Sequence, residues 1–583
     1  MRPRIVFLAL AAAMLAGTFS FSFAQDGRSP FDDIRREREL IKKQLHTDGA
    51  SRRSAYRSAA VTSQPVNVLH YGLQIKLTPD PAAIRGRVTI EARATDAVAS
   101  IEVNAEANLV IDAVSFNNSP VEYERKRNLI TVRPPSPVAA AEEFSIAIDY
   151  HGEPVVSGRL GGGMLVDRHG PDNVPVMATL SEPYAAPSWW PCIDDPTDKA
   201  TAQIEATVPD GFQVASNGVL ERVERNADRT VTFVWRERAL ISTYLISVAA
   251  TNYERFEDTY TAADGTSMPI LYYVYPEHLD NARRKFGATL EAMHIFTPLF
   301  GEYPFLGEKY GMAEFPWLGA MEHQTMTSMG SSIVGTPGST GRFVIAHELA
   351  HHWWGNLVTM KNWGDIWLNE GFATYSEALY YEGRTGSPAS EYMLDMDDGQ
   401  VNGRLGGTVF AEDEDDPFDD RNAIYDKGGW VLHMLRHVLG DEKFFAALRL
   451  YGQRHGFGNA STQEFQQVCE EFFGGPLDWF FSQWVYSRGR PVYKVSMKAE
   501  GPDLFNNYTV RLTIKQKQSH NVAGREKSFY IMPIDVTIYG EGVSHKVVVF
   551  NDARKQTFTI NVPFPPRRAA IDEDNWILKK VKS

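Results

Sequence analysis

From Val66 the chain alternates apolar and polar residues with a period of two, as in VNVLHYGLQIKL, RGRVTIEARA, SIEVNA, NLITVRPP and FSIAIDYHG. A period of two places every second side chain on one face of a strand. Short runs of this kind, separated by Asp, Asn, Gly and Pro, predict an all-β domain over residues 65–253. Beyond Pro276 the apolar positions recur every three to four residues, in HLDNARRKFGATLEAMHIFTPLF, KGGWVLHMLRHVL and STQEFQQVCEEFF. That spacing predicts a mainly helical domain over 254–490. From Pro491 the alternation returns (YTVRLTIKQKQ, SFYIMPIDVTIY, SHKVVVFND, KQTFTINV), predicting a C-terminal β-sandwich over 491–583. The fold class expected is multidomain α+β, without internal repeats.

The first residues follow a different pattern. Met1-Arg2-Pro3-Arg4 is basic, Ile5 to Gly17 is apolar, and Ser22-Phe23-Ala24 offers small residues for cleavage. This is the three-part layout of a secretory signal over 1–24, and thirteen apolar residues are too few for a membrane-spanning helix. The expectation is an exported protein, periplasmic or extracellular, without stable membrane insertion. Residues 25–64 read as a polar linker, with one helix over Phe31–Gln44. Composition narrows the chemistry further. Aromatic residues make up 12% of the 583, enough for real cores, and the net charge of -14 argues against nucleic-acid partners. Two cysteines, Cys192 and Cys469, exclude a disulfide framework and an all-cysteine metal site. Fifteen histidines leave imidazole–carboxylate metal chemistry open.

That chemistry concentrates in RFVIAHELAHHWWGNLVTMKNWGDIWLNEGFATYSEALYYEG, which starts at Arg342. His347 and His351 stand four apart, so on a helix they are offset by only about 40° and can share one ion. Glu348, on the same turn, is placed to take a proton from a water at that ion. Glu370 follows His351 with eighteen residues between. Two antiparallel helices joined by a short turn would bring it back as a third ligand. Two imidazoles and a carboxylate suit zinc and leave a fourth position open, so one catalytic Zn2+ per chain is expected. A metzincin would need Gly and His where Trp354 and Leu357 stand. Glu377, two turns beyond Glu370, can accept the free N–H of a ligating histidine. His352 points off the ligand face and reads as packing.

Gly319-Ala320-Met321-Glu322-His323 precedes this stretch, after the strand-like KYGMAEFPW, and Tyr425-Asp426-Lys427-Gly428 follows it. With GAMEH, HELAHHWWGN, LNEGFATYSE and YDKGGWVLHML, the chain resembles the zinc aminopeptidases related to aminopeptidase N and leukotriene hydrolase, within the gluzincins. Weaker matches are VLHYGLQIKL, PCIDDPTDKA and FFSQWVYSRGRP. The resemblance implies a thermolysin-like helical domain and one zinc ion held by His347, His351 and Glu370, with Glu348 as general base. It implies that Glu322 binds the substrate's free α-amino group, aided by Glu182 of TLSEP. The Gly319, Ala320 and Met321 backbone would hold the peptide as an added strand. Tyr425 would donate a hydrogen bond to the oxyanion.

The chain departs from the family pattern in three respects. His323 replaces an asparagine, introducing a side chain that ordinarily titrates near pH 6 to 7. Leu180 stands where a glutamine is common, and Tyr184-Ala185-Ala186-Pro187 lacks the usual arginine. A C-terminal helical array is not expected, so the cleft should be more open than in larger members. The implied function is removal of the N-terminal residue from peptides with a free N-terminus. The alternatives are a zinc endopeptidase, a peptidase with secondary epoxide hydrolase activity, and a non-catalytic scaffold. The preferred residue and the oligomeric state are not legible.

Overall fold

The computed structural model describes residues 64–157, 161–337, 341–400, 407–520, 522 and 529–582, with side chains omitted at 397–400. The signal expected over 1–24, and the linker of 25–64 apart from Gln64, lie outside the described residues. Gln64 ties the chain down at its entry: its amide donates to the Glu102 carbonyl and accepts from the Glu102 N–H, both at 2.9 Å.

The N-terminal region is built on an eight-stranded sheet centred on Val66–Pro79, which pairs antiparallel with Ala82–Ala94 and parallel with Ala200–Pro209. Register in the first strand shifts between Val68 and His70. Val66 and Val68 are buried before that bulge, and Tyr71, Leu73, Ile75 and Leu77 after it. An extra residue flips every later side chain to the other face, so the bulge lets even and then odd positions share one core. A five-stranded sheet places Val174–Leu180 between Gly162–His169 and Val248–Thr251. Glu182 leaves the end of that strand.

The central part opens with β1 (Glu254–Thr261) and β2 (Ser267–Val274), then α1 (Leu279–Lys285) and α2 (Ala288–Phe300). β3 (Tyr310–Phe315), β4 (Ala320–Met321) and β5 (Thr327–Gly330) complete a sheet in the order β1-β2-β3-β5-β4. Among the described residues β4 pairs only with β5, antiparallel, and its outer edge is open. Helix α3 (Arg342–Ala350) touches β4 and packs on α4 (Trp367–Thr385), which packs in turn on α5 (Gly428–Leu439). Phe296 and Phe300 of α2 close on Trp353, with ring centroids 6.2 and 5.9 Å away.

The expected short turn between the two ligand helices is replaced by a longer link. Residues 351–366 hold the strand Val358–Met360, paired with Gly458–Ala460, and a tight turn at Trp363–Asp365. An excursion of this length lets α4 be anchored by distant chain. Asp365 accepts from the Thr462 hydroxyl at 2.6 Å, and Trp367 donates to that hydroxyl at 2.8 Å.

The C-terminal strands are β6 (Val492–Glu500), β7 (Tyr508–Gln516), β8 (Met532–Tyr539), β9 (Ser544–Asn551), β10 (Lys555–Val562), β11 (Arg568–Ile571) and β12 (Lys580–Lys582). They form two sheets, β10-β7-β6-β12 and β9-β8-β11. Trp576 carries them onto α5, stacking on His433 and His437 at 4.8 and 5.2 Å. Both cysteines are buried thiols. Among the described residues no helix is long and apolar enough to cross a membrane.

Candidate metal centre

His347 lies in the last turn of α3 and His351 caps it, while Glu370 falls in the first turn of α4. The structure brings the three together. Glu370 Oε2 is 3.3 Å from His347 Nε2 and 3.4 Å from His351 Nε2. The other imidazole nitrogens are engaged: His347 Nδ1 meets Glu377 Oε1 at 2.7 Å and His351 Nδ1 meets the Trp354 carbonyl at 3.0 Å. With Nδ1–H donating in both rings, both Nε2 atoms turn lone pairs toward a carboxylate oxygen. Acceptors so close repel unless a proton or cation lies among them. Ligands about 2.0–2.1 Å from a tetrahedral ion sit about 3.3–3.4 Å apart, the spacing zinc requires. The donor set therefore fits zinc.

Around it stand further buried carboxylates. Glu322, Glu348 and His351 offer ligand atoms all within 4.8 Å of one another. Glu182, Glu322 and Glu348 each keep one buried oxygen without a hydrogen-bond partner. Burial raises Glu182, and Glu322, Glu370 and Glu348 push it further the same way. Burial raises Glu322 as well, opposed by His351. Glu348 is pushed up to about 8 by burial, against the pull of His347 and His351. Burial alone would lower His351, but Glu322 and Glu370 outweigh it and lift it to about 9. Glu370 goes the other way: burial opposes its charge, yet His351 and His347 hold it below the usual carboxylate range. So many buried acids around two imidazoles create a demand for positive charge that a divalent ion and an ammonium group together would meet. A cation at Glu322, Glu348 and His351 instead would leave the His347–Glu370 contact unrelieved, so His347, His351 and Glu370 are the better fitted of the two sets to hold an ion.

Tyr425 sits in a wide π-helical turn, Asn422–Lys427, immediately before α5. Its ring lies nearly parallel to that of His347 with centroids 6.0 Å apart. Burial, then Glu370 and Glu182, raise its hydroxyl, which therefore stays a protonated donor. Two glycines bring it there. A Cβ on Gly371 or on Gly428 would meet the other residue's Cα at 2.9 Å, so α4 and α5 touch backbone to backbone one residue from Glu370 and three from Tyr425. Gly319, Ala320 and Met321 lie at the open edge of β4, with the Gly319 carbonyl accepting from Gly330 N–H at 2.8 Å.

His323 is an interior side chain. It is fully buried, its Nδ1 meets the Ser328 hydroxyl at 2.8 Å, and burial pushes its pKa down to about 3. Burial therefore favours its neutral form and works against a charge near pH 6 to 7. His352 is likewise interior, its Nε2 accepting from Thr325 N–H at 3.1 Å. The acids of the site are nearly closed off from solvent, Glu370 at 2% and Glu322 at 3% exposed.

Other residues of the site carried little signal in the sequence. Lys199, buried, donates to the carbonyls of Asn356 and Leu357 at 2.9 and 3.2 Å. The Asn356 amide in turn donates to the Glu322 carbonyl at 2.8 Å. Burial lowers Lys199 to about 7. Its only trace in the sequence was the string PCIDDPTDKA. Tyr392 donates to the second oxygen of Glu377. Arg421, four residues before Tyr425, lies near enough to Glu182 to lower its pKa, a positive charge that residues 184–187 do not provide. Nothing in the sequence announced it.

Comparison with known proteins agrees with this geometry. Residues 67–245 match the Peptidase M1 N-terminal domain and residues 300–484 the Peptidase family M1 domain. A β-rich first domain leading into a helical domain with this donor set defines a zinc metallopeptidase architecture. The chain belongs to the M1 peptidase family. It is 25% identical to a puromycin-sensitive aminopeptidase of Caenorhabditis elegans over 84% of its own length and 54% of the relative's. It is 30% identical to glutamyl aminopeptidase of Bos taurus, over 55% of this chain and 35% of that one. A crystal structure of the M1 zinc metallopeptidase from Deinococcus radiodurans superposes with a TM-score of 0.65 at 25% identity, covering 73% of this chain and 95% of that one. The chain spans about half the length, or less, of these curated relatives.

Proposed function

We propose that the protein is a zinc-dependent aminopeptidase that removes the first residue from peptides with a free N-terminus. The observation that carries this is the pair Glu322 and Glu182, buried beside the donor set, each with an unpartnered oxygen. An endopeptidase has no need of two buried acids there, whereas a substrate ammonium group satisfies both. Bound to His347, His351 and Glu370, zinc supplies Lewis-acid polarisation of the scissile carbonyl and of the attacking water. Glu348 takes the water's proton and passes it to the leaving nitrogen, a task suited to a buried carboxylate on the same helical turn as His347 and His351. Tyr425 donates to the oxyanion. The open edge of β4 pairs with substrate backbone, so binding there does not depend on side chains. Glu322 and Glu182 hold the N-terminus, and only the first peptide bond then reaches the centre.

The same reading divides the chain into an N-terminal β domain over 65–253, a helical catalytic domain over 254–490 and a β-sandwich over 491–583. Burial of Val510, Leu512 and Ile514 in one C-terminal sheet and Ile534, Val536 and Ile538 in the other supports the sandwich. Export with cleavage after Ala24 is part of the proposal, and N-terminal sequencing of secreted material should then begin at Gln25. The activity itself is tested with a panel of aminoacyl fluorogenic substrates, their acetylated counterparts, and a zinc chelator. Chelator-sensitive release from free-amine substrates alone is expected. Internal cleavage of blocked peptides at equal rate would overturn the assignment.

A further inference from the structure

The outer face of the β10-β7-β6-β12 sheet is built against ordinary sheet chemistry. Register pairs Lys582 with Lys494, Lys494 with Lys515, and Lys515 with Lys555, so one row of four lysines crosses four strands. At about 4.8 Å between strands the row is roughly 14 Å long. Directly opposed like charges destabilise a sheet, yet Lys517 and Lys580 extend the cluster, and Lys498 opposite Arg511 continues it along the strands. Mutual repulsion is evident at Lys517, whose ammonium is held below its ordinary range by Lys515, then by Lys494 and Lys582. Glu500 is the only carboxylate among the described residues of these four strands, and it pairs with Arg511 at 3.3 Å, while Lys494 has a partner of its own outside the row.

The charge is local. Residues 491–583 contain fifteen Lys and Arg against nine Asp and Glu, in a chain whose net charge is -14. A second feature lies at the end of the same sheet. The turn joining β6 to β7 carries Leu504, 100% exposed, and Phe505, 84% exposed. That turn also holds Asp503 and begins six residues along β6 from Lys494, about 20 Å from the lysine row, so the sheet carries an exposed apolar tip and a polybasic patch, the two signals that reversible membrane association uses.

We propose that this face docks on an anionic, phosphate-bearing lipid surface, with lysines on the headgroups and the Leu504–Phe505 tip entering the interface. Charge complementarity decides against the chain's own N-terminal stretch as occupant, because residues 25–63 are themselves net positive. Global attraction is excluded as the cause, since a net-negative chain is repelled by an anionic bilayer unless this face is presented. The proposal is independent of the peptidase reading.

The test is cosedimentation of the full chain with vesicles of phosphatidylcholine alone, and with vesicles containing about 30% phosphatidylglycerol. Binding to the anionic vesicles only is expected, with release at about 0.5 M salt. Because each lysine near such a surface is worth roughly fivefold, K515Q/K555Q should weaken partition about 25-fold. The same variant should melt at an equal or higher temperature, since repulsion is removed, and hydrolyse soluble substrates as before. L504S/F505S should weaken binding while leaving its salt dependence in place. Equal binding to neutral vesicles, no binding to anionic ones, or unchanged partition of K515Q/K555Q would overturn the proposal. So would a soluble polyanion held while vesicles are ignored, or a self-associated chain that covers the face.

Discussion

Glu377 touches no substrate, yet the geometry makes it decisive for the metal. Its Oε1 meets His347 Nδ1 at 2.7 Å, and Tyr392 steadies its other oxygen. The side chain is only 13% exposed, so water screens its charge weakly. The contact fixes the His347 tautomer with Nε2 free to ligate and makes that nitrogen a stronger donor. A hydrogen bond to a charged group in such a place is worth about 1.5–3 kcal/mol, which corresponds to about a 10- to 150-fold loss of zinc affinity on removal. Glu377→Gln keeps an acceptor and loses the charge, so it should sit near the lower end. Glu377→Ala also frees the ring and should approach the upper end. The assay is competition for zinc against a fluorescent chelator, with turnover measured separately at saturating zinc. At saturation both variants should recover most of their activity, because the machinery at Glu348 and Tyr425 is untouched. Unaltered affinity in both variants would show that the Nδ1 contact does not orient the ligand.

Glu348→Gln should retain zinc by elemental analysis while turnover falls by about 10²–10⁴-fold, the usual contribution of a positioned general base. Gly371→Ala forces a Cβ to 2.9 Å from the Gly428 Cα. Overpacking of that kind costs about 1–3 kcal/mol, and by shifting the Tyr425 turn it should lower kcat more than it raises KM. Acid should destabilise the fold through buried neutral histidines. His323 and His433 are both pushed down to about 3 by burial, so below pH 6.5 the unfolded chain binds protons that the folded chain does not. Stability is then lost as pH falls, by about 2 kcal/mol for each between pH 7 and pH 5. Denaturant unfolding of His323→Asn at both pH values should recover one such share, and an identical loss in the variant would refute the burial argument.

What the residues announced and what they concealed divide along a physical line. His347, Glu348 and His351 share one helical turn, and period-two strands carry their burial in their own spacing, so both were legible locally. Glu370 was legible through its interval, although the path that delivers it was not. The excursion at 351–366 is held by Thr462 and by the strand Gly458–Ala460, contacts about a hundred residues away in the chain. Lys199 reaches Asn356 across 157 positions, and no pattern in either neighbourhood encodes that meeting. His323 illustrates the converse. Its chemistry is printed in the sequence, but its protonation is governed by the burial around it, which favours the neutral imidazole. The lysine row belongs to the same class: each lysine alternates unremarkably within its own strand, and only the register of four strands places them side by side. Function in this chain is therefore written in two scripts, short-range spacing for the chemistry and long-range register for what positions and surrounds it. Only the first can be read without the fold.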